Sequence, residues 1–418
     1  MQRASTKLGF DVEYFLKGSF WTSIPTFAEL GMNTLLAVAL AALIPQAEYG
    51  EYQFFLSMLF LLGLFSLTGN TGAVIPSVSR GHDRSLVDAT RQAIRWGWLG
   101  GSVVALILAT YFWYWGDPEM APYLLLTALF IPFVFSFKSY TSFLIGKERF
   151  AQNAHLWTAQ IVIVNLCLLA IAYLTRDVFI LAAAYLILWS ASSALCYAYV
   201  KRKYASSIAQ SKPDPELHKA SLHFTGLQIP PVIGAHIDKI LVGLFLGLHT
   251  LAIYAVAQNI AQINQLVLKP ALRIVLPKLA KQKKPKLTFE AMQNKLVLML
   301  IFSAVICLLN ILVSPILIRL LFPAAYIPAI TLTQMLVLAY VVNFATILFQ
   351  NFLVAHRFTR ALHTVSWLTV GSKAILLALL LPHFGVWGAV FAFVGAAVIE
   401  FLLSWQLSAH AVRSPAAV

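Results

Sequence analysis

The chain has 418 residues, of which 60% are hydrophobic and 11% charged, with a formal net charge of +14 and a mean hydropathy of +0.79. A soluble domain carries about a quarter of its residues as charges, so this composition excludes one. The ten-residue alternation of a membrane β-barrel is also missing. The positive charges lie in short segments between apolar runs, which points to loops at one membrane face and argues against nucleic-acid binding.

Apolar runs long enough to cross about 30 Å of hydrocarbon recur along the whole chain. Twelve helical spans are expected, near 20–44, 52–76, 96–115, 121–145, 155–174, 178–200, 224–247, 251–276, 296–318, 329–354, 363–382 and 386–408. A mixed polar segment precedes the first run and no small-residue cleavage site follows it, so that run is expected to stay as a helix. Cys167, Cys196 and Cys307 fall inside apolar runs and read as small core residues. One set of loops holds Arg80, Arg84, Arg91, Arg95, Lys147, Arg149 and Lys201 to Lys219, then Lys269 to Lys295, Arg357 and Arg360. The opposite set holds only Arg176 and Arg319. The positive-inside rule therefore puts both termini in the cytoplasm.

Two sequence pairs recur half a chain apart. LIPQAEYGEY (Leu43 to Tyr52) returns in weaker form in DKILVGLFLGLHTLAIYAVAQN (Asp238 to Asn259), matching Tyr52 to Tyr254. FLIGKERF (Phe143 to Phe150) returns as FLVAHRF (Phe352 to Phe358) at nearly the same separation. The longest polar segment falls midway and contains SKPDPELHKA. The expected organisation is an N-terminal six-helix lobe (1–200), a cytoplasmic linker (201–222) and a C-terminal six-helix lobe (223–418). Copies with six spans each share an orientation, which implies a pseudo-twofold axis along the membrane normal.

The outer acids, Glu48, Glu51, Asp117, Glu119 and Asp177, are scattered over short turns. No phosphate-binding loop, zinc spacing or nucleophile elbow is present. The chain is therefore not expected to be an enzyme, and no cofactor or metal is implied.

Charges inside the spans carry the functional signal. Glu29, Lys138, Asp238, Lys239, Lys373 and Glu400 lie in apolar runs, and His236 joins them. Each costs a few kcal/mol at mid-helix, so they face a water-filled cavity or one another. In the first span Trp21, Pro25, Glu29 and Asn33 follow at steps of four. In the seventh, His236, Lys239 and Gly243 share a face and Asp238 points elsewhere. Polar stripes follow at Gln258, Gln262 and Gln265, at Asn343, Thr346 and Gln350, and at Ser366, Thr369 and Lys373. They read either as interhelical glue or as a lining for sugar hydroxyls. Pro25 and the pair Pro230–Pro231 interrupt corresponding helices of the two halves, a pointer to a transporter site and its hinges.

LIPQAEYGEYQFF with the following LFSLTGNTGAV, the central DKILVGLFLGLHTLAIYAVAQNIAQ and the span count resemble the polysaccharide biosynthesis flippases. That group includes the O-antigen and exopolysaccharide-repeat flippases. Its superfamily also holds multidrug and toxic-compound exporters and the lipid II flippase. The resemblance implies two six-helix lobes in a V, alternating access, and a central cavity lined by the first, second, seventh and eighth spans. It also implies a bacterial inner-membrane location and an undecaprenyl-pyrophosphate-linked oligosaccharide as substrate, serving lipopolysaccharide, exopolysaccharide or capsule. Polysaccharide polymerase and chain-length proteins are the implied partners besides membrane lipids. The family often carries an arginine before the first turn, where this chain reads LAALIPQ; Lys239 is the expected substitute.

On this reading Lys138, Lys239 and Lys373 attract pyrophosphate as point charges, His236 belongs to the same site, and Gln258 and Gln262 meet sugar hydroxyls. Glu29 and Asp238 are the candidates for coupling to protons or sodium. A cation-coupled multidrug exporter of the same fold is the alternative, and a non-transporting scaffold of a glycan-assembly complex is a third reading.

Overall fold

In hydrocarbon every backbone N–H and C=O must be satisfied within its own segment, so long apolar runs fold as helices. The computed structural model describes residues 12–265, 285–356 and 358–413, and these form helices and turns without a strand. Among the described residues ten helices are long and apolar enough to cross a membrane. An eleventh span is a bent pair, Gln46–Ser66 with Asn70–Ser79, at 46°. The eighth expected span, 251–276, is described only to Gln265. Its remainder, the basic run from Lys269 to Lys284 and Arg357 lie outside the described residues.

The chain forms two compact units. The first runs to Ile44 and from Met58 to Val232; the second comprises Pro45–Ser57 and runs on from Ile233. In the first, α1 (Val12–Leu43) lies along α8 (Phe150–Thr175). The bent span consists of α2 (Gln46–Gly63) and α3 (Asn70–Ser79). The break holds Leu67 at φ 50°, a left-handed conformation costly for a leucine. Thr225 Oγ1 accepts the Gly69 N–H at 3.0 Å, satisfying a donor that the break leaves without a helical partner.

The third span begins at Ser85, well before the expected residue 96: α4 (Ser85–Trp96) continues through a π-helical turn at Gly97–Ser102 into α5 (Val103–Trp115). Arg91 and Arg95 lower the hydropathy of α4, but Leu86, Ala89 and Ala93 give it a buried face. The fourth span is broken as well, into α6 (Ala121–Val134) and α7 (Ser139–Gly146), with a 3-10 turn at Ser136–Lys138 between them. Pro132 stands just before this break, and Ser136 Oγ donates to the Pro132 carbonyl at 2.5 Å. The sixth span is α9 (Val178–Lys203).

The expected linker is not a free strand of chain. After α10 (Ala205–Gln210) it lies against the turn that precedes α4, inside the first unit. Asp214 takes a hydrogen bond from Ser77 at 2.6 Å and pairs with Arg80 at 2.9 Å. Ser211 donates to the Gly81 carbonyl at 3.0 Å, and Ser207 donates to Asp83, which also pairs with Lys147 at 2.7 Å. The boundary between compact units therefore falls beyond this segment, within α11 (Leu217–Leu246).

Burial alone would raise the Asp214 pKa. The Ser77 hydroxyl, the Glu216 N–H and the Arg80 and His82 charges outweigh burial and hold it below the ordinary 3.8. A carboxylate with a depressed folded-state pKa contributes stability above its unfolded value and loses it as pH falls through the folded one. Asp214→Asn is therefore expected to speed limited proteolysis between Ser206 and Glu216 at neutral pH. Wild-type cleavage should rise only below pH 3.8, with the variant flat across that window.

In the second unit, α12 (Leu248–Ala261) follows α11 after Gly247, whose φ is 83°. Then come α13 (Pro285–Asn294), α14 (Leu296–Leu321), α15 (Ala329–Ala355), α16 (Thr359–Phe384) and α17 (Val386–Arg413). Leu298, Ile301, Leu308, Leu312 and Leu320 of α14 are exposed, as a lipid-facing helix requires. The repeated FL motif closes its helix in the same way in both units. Lys147 N–H bonds to the Phe143 carbonyl and Arg149 N–H to that of Leu144; His356 and Phe358 do the same to Phe352 and Leu353. Phe143 and Phe352 are both fully buried, each in the core of its own unit.

Candidate functional site

The intramembrane charges gather into two groups, one in each unit. In the second unit Asp238 of α11 is fully buried. Its Oδ2 accepts from Tyr254 OH at 2.8 Å and from Gln258 Nε2 at 3.0 Å, and lies 3.1 Å from Lys373 Nζ. Tyr254 and Gln258 stand four residues apart, so one face of α12 delivers both donors. Oδ1 takes the backbone N–H of Lys239 at 3.0 Å. Lys373 comes from α16, donates to the Gly234 carbonyl at 2.5 Å and lies 5.0 Å from the Phe393 ring centre. A carboxylate in an apolar interior needs this many partners to stay charged.

These contacts change the reading of three expected site residues. Lys373 is 5% exposed and Gln258 3%, and both are turned onto Asp238 instead of open to a ligand. Asp238 Oδ2 meets three partners and Oδ1 one. By contrast Lys239 and His236 are half-buried, within electrostatic reach of Asp238 and Lys373. Gln262 is half-buried too. Glu400 takes a hydrogen bond from Gln350 at 2.9 Å, so part of the polar stripe on α15 is interhelical glue. Tyr254, which the sequence singled out only as the repeat partner of Tyr52, is a neighbour of Asp238 that was not expected there; its signal was the four-residue step to Gln258.

Pro45–Ser57 enters this unit through small residues and aromatic rings. Gly50 meets the backbone of Leu248, and Tyr49 stacks edge-on with Tyr326 at 6.1 Å. Gln53 Nε2 donates to the Tyr49 hydroxyl at 3.1 Å. Both matched tyrosines of the repeat, Tyr52 and Tyr254, are buried.

The other group lies in the first unit. Lys138 sits in the broken part of the fourth span, with Nζ 4.2 Å from the ring centre of Trp157 on α8. Glu29 of α1 is exposed and within electrostatic reach of both Lys138 and Tyr185 of α9. Trp157 packs against Trp189 at 5.8 Å, and Tyr185 against Trp189 at 6.1 Å. Two residues before Trp157 on α8, and so on another face of it, the His155 ring meets Trp21 edge-on at 5.1 Å. Glu29 is thus the exposed member of the two expected coupling carboxylates.

The helix order defines an all-helical, multi-pass membrane fold. Solved structures with similar folds are transporters of the MATE class. A multidrug resistance MATE family transporter of the MOP superfamily, in an inward-facing conformation, aligns with TM-score 0.70 at 15% identity, over 95% of this chain and 99% of its own. A mutant of the Vibrio cholerae MATE transporter VcmN aligns with TM-score 0.63 at 16% identity, over 96% and 97%. The MATE multidrug transporter DinF-BH aligns with TM-score 0.64 at 15% identity, over 96% and 95%. No curated protein sequence matches the chain. The family model described as polysaccharide biosynthesis protein matches residues 15–283, and the chain belongs to that family.

Proposed function

We propose that the protein moves undecaprenyl-pyrophosphate-linked oligosaccharide repeat units from the cytoplasmic to the outer leaflet of the bacterial inner membrane, by alternating access and with both termini cytoplasmic. The observation that carries this reading is Lys239. The two carboxylates of the second unit already have close partners, Asp238 with Lys373 at 3.1 Å and Glu400 with Gln350 at 2.9 Å. Lys239 is left as a half-buried positive charge in the interior of a span. An ammonium at that depth is costly unless an anion meets it, and a pyrophosphate supplies one. A cationic drug would gain nothing from a half-buried lysine at its site. Membership of the polysaccharide biosynthesis family supports the same reading. Glu29, exposed in its span, and Asp238 are the candidates to take up a coupling proton or sodium ion.

The test is the leaflet distribution of lipid-linked oligosaccharide in cells that lack the protein and in cells that carry it again. Intermediates should accumulate on the cytoplasmic face and move outward on re-expression. Lys239→Ala is expected to slow this movement by on the order of tenfold, the scale of one charge-assisted contact, and Lys239→Arg should recover most of it. Unchanged lipid-linked sugars in the deletion strain would overturn the reading in favour of drug export or a scaffold role.

A further inference from the structure

We infer that the aromatic cluster of the first unit is a sugar-binding subsite, with Trp157 and Trp189 as stacking platforms for a pyranose ring of the transported glycan. The inference rests on the flippase reading and goes beyond it, since pyrophosphate recognition needs no aromatic ring.

Four observations meet at this place. First, the rings lie inside the spans, roughly two turns or more from their helix ends. The interfacial belt looks different: Trp113, Tyr114 and Trp115 at the end of α5 are 57%, 71% and 75% exposed. Second, the cluster surrounds charged groups. Lys138 lies over the Trp157 face, and Glu29 is exposed beside it. Charges within a span do not face lipid, so this surface is open to water or to a polar ligand. Third, the rings are half-buried: Trp157 rests on the core of its unit, and part of each ring stays accessible. Fourth, Tyr185 adds a hydroxyl next to the platforms and within reach of the Glu29 charge.

A pyranose matches this set. One face of the ring is a patch of C–H groups that packs on an indole, while its rim carries hydroxyls that require donors and acceptors. Trp157 and Trp189 provide the apolar surface, and Tyr185, Glu29 and Lys138 the polar edge. Glu29 and Lys138 balance each other in charge, so the cluster has no net preference for a cationic drug. The cation–π contact holds Lys138 in place and keeps the Trp157 indole oriented.

The experiment uses purified full-length protein in proteoliposomes, with lipid-linked oligosaccharide extracted from cells lacking the protein. A second substrate is the same carrier pyrophosphate bearing a single sugar. Trp157→Leu is expected to slow the full repeat roughly tenfold, the scale of a lost aromatic contact with its packing, and to change the single-sugar substrate less than about twofold. Trp157→Phe should keep most of the activity, and all variants should melt as wild type does. Binding of the released, water-soluble glycan, followed by saturation-transfer NMR, requires no transport; its signal should vanish in Trp157→Leu and Trp189→Leu. Equal losses on both substrates would mark a structural role and overturn the inference, as would unchanged glycan binding. Displacement of the glycan signal by nothing but a planar cationic dye would do the same. Wild-type protein that binds the glycan but moves neither substrate would sink the flippase reading and leave the subsite standing.

Discussion

Lys373→Met is expected to destabilise the protein by about 3–5 kcal/mol, the cost of leaving a buried charge without its partner. Asp238 would keep its bonds from Tyr254 and Gln258 but lose the only cation within salt-bridge distance of it among the described residues. Methionine nearly matches the lysine stem in length, so little packing is lost with the charge. The double variant Asp238→Asn/Lys373→Met removes both charges and should recover most of the stability, because a buried ion pair replaced by neutral groups is often neutral in effect. Thermal unfolding in detergent measures both variants. A Lys373→Met protein that melts like wild type would show that the pair carries no structural weight. The double variant also separates structure from transport: if it folds and moves substrate normally, neither charge contacts the cargo. A folded double variant without transport would return Lys373 or Asp238 to the working site.

The spans were legible in the sequence because hydrocarbon demands long apolar runs, and the functional charges because such runs tolerate few of them. What sequence could not supply was pairing. Helical periodicity gives the face of one helix, so Asp238 could be separated from Lys239, yet it cannot say that Asp238 meets Lys373 from α16. Gln258 and Gln262 look alike as members of one polar stripe. Only the three-dimensional fold turns the first onto Asp238 and leaves the second half-buried. The start of the third span was hidden because Arg91 and Arg95 sit on a helix whose other face is apolar. Trp157 and Trp189 gave no signal, since tryptophan is common near membrane surfaces and its depth is not visible in one dimension. The repeat was visible in Tyr52 and Tyr254. That the first of these turns packs in the second unit was not, because a contact between two repeat copies leaves no trace in either copy alone.

Gly50→Ala is expected to disrupt that contact, with losses of about 1–3 kcal/mol or more from overpacking. An ideal Cβ at Gly50 would stand 1.8 Å from the Leu248 carbonyl oxygen and 2.6 Å from its carbon. Both are backbone atoms at the start of α12, so no side chain can swing aside; a whole helix must move. The same helix carries Tyr254 and Gln258, which hold Asp238, so a displaced α12 should weaken the buried ion pair too. At the matching place in the second copy, two residues before Tyr254, stands Ala252, fully buried. A methyl group is therefore acceptable in one copy and excluded in the other, and the reason is the close approach of Gly50 to Leu248. Gly371→Ala is the control in the same unit: a Cβ there meets nothing within 4 Å, and alanine should leave stability unchanged or raise it by roughly 0.5–1 kcal/mol through helix propensity. Expression and melting temperature of the two variants decide the matter. Equal behaviour would mean that Pro45–Ser57 does not pack on α12 in the membrane-bound protein. A loss confined to Gly50→Ala, with transport falling alongside stability, would tie the first repeated turn to the carboxylate that the second one holds.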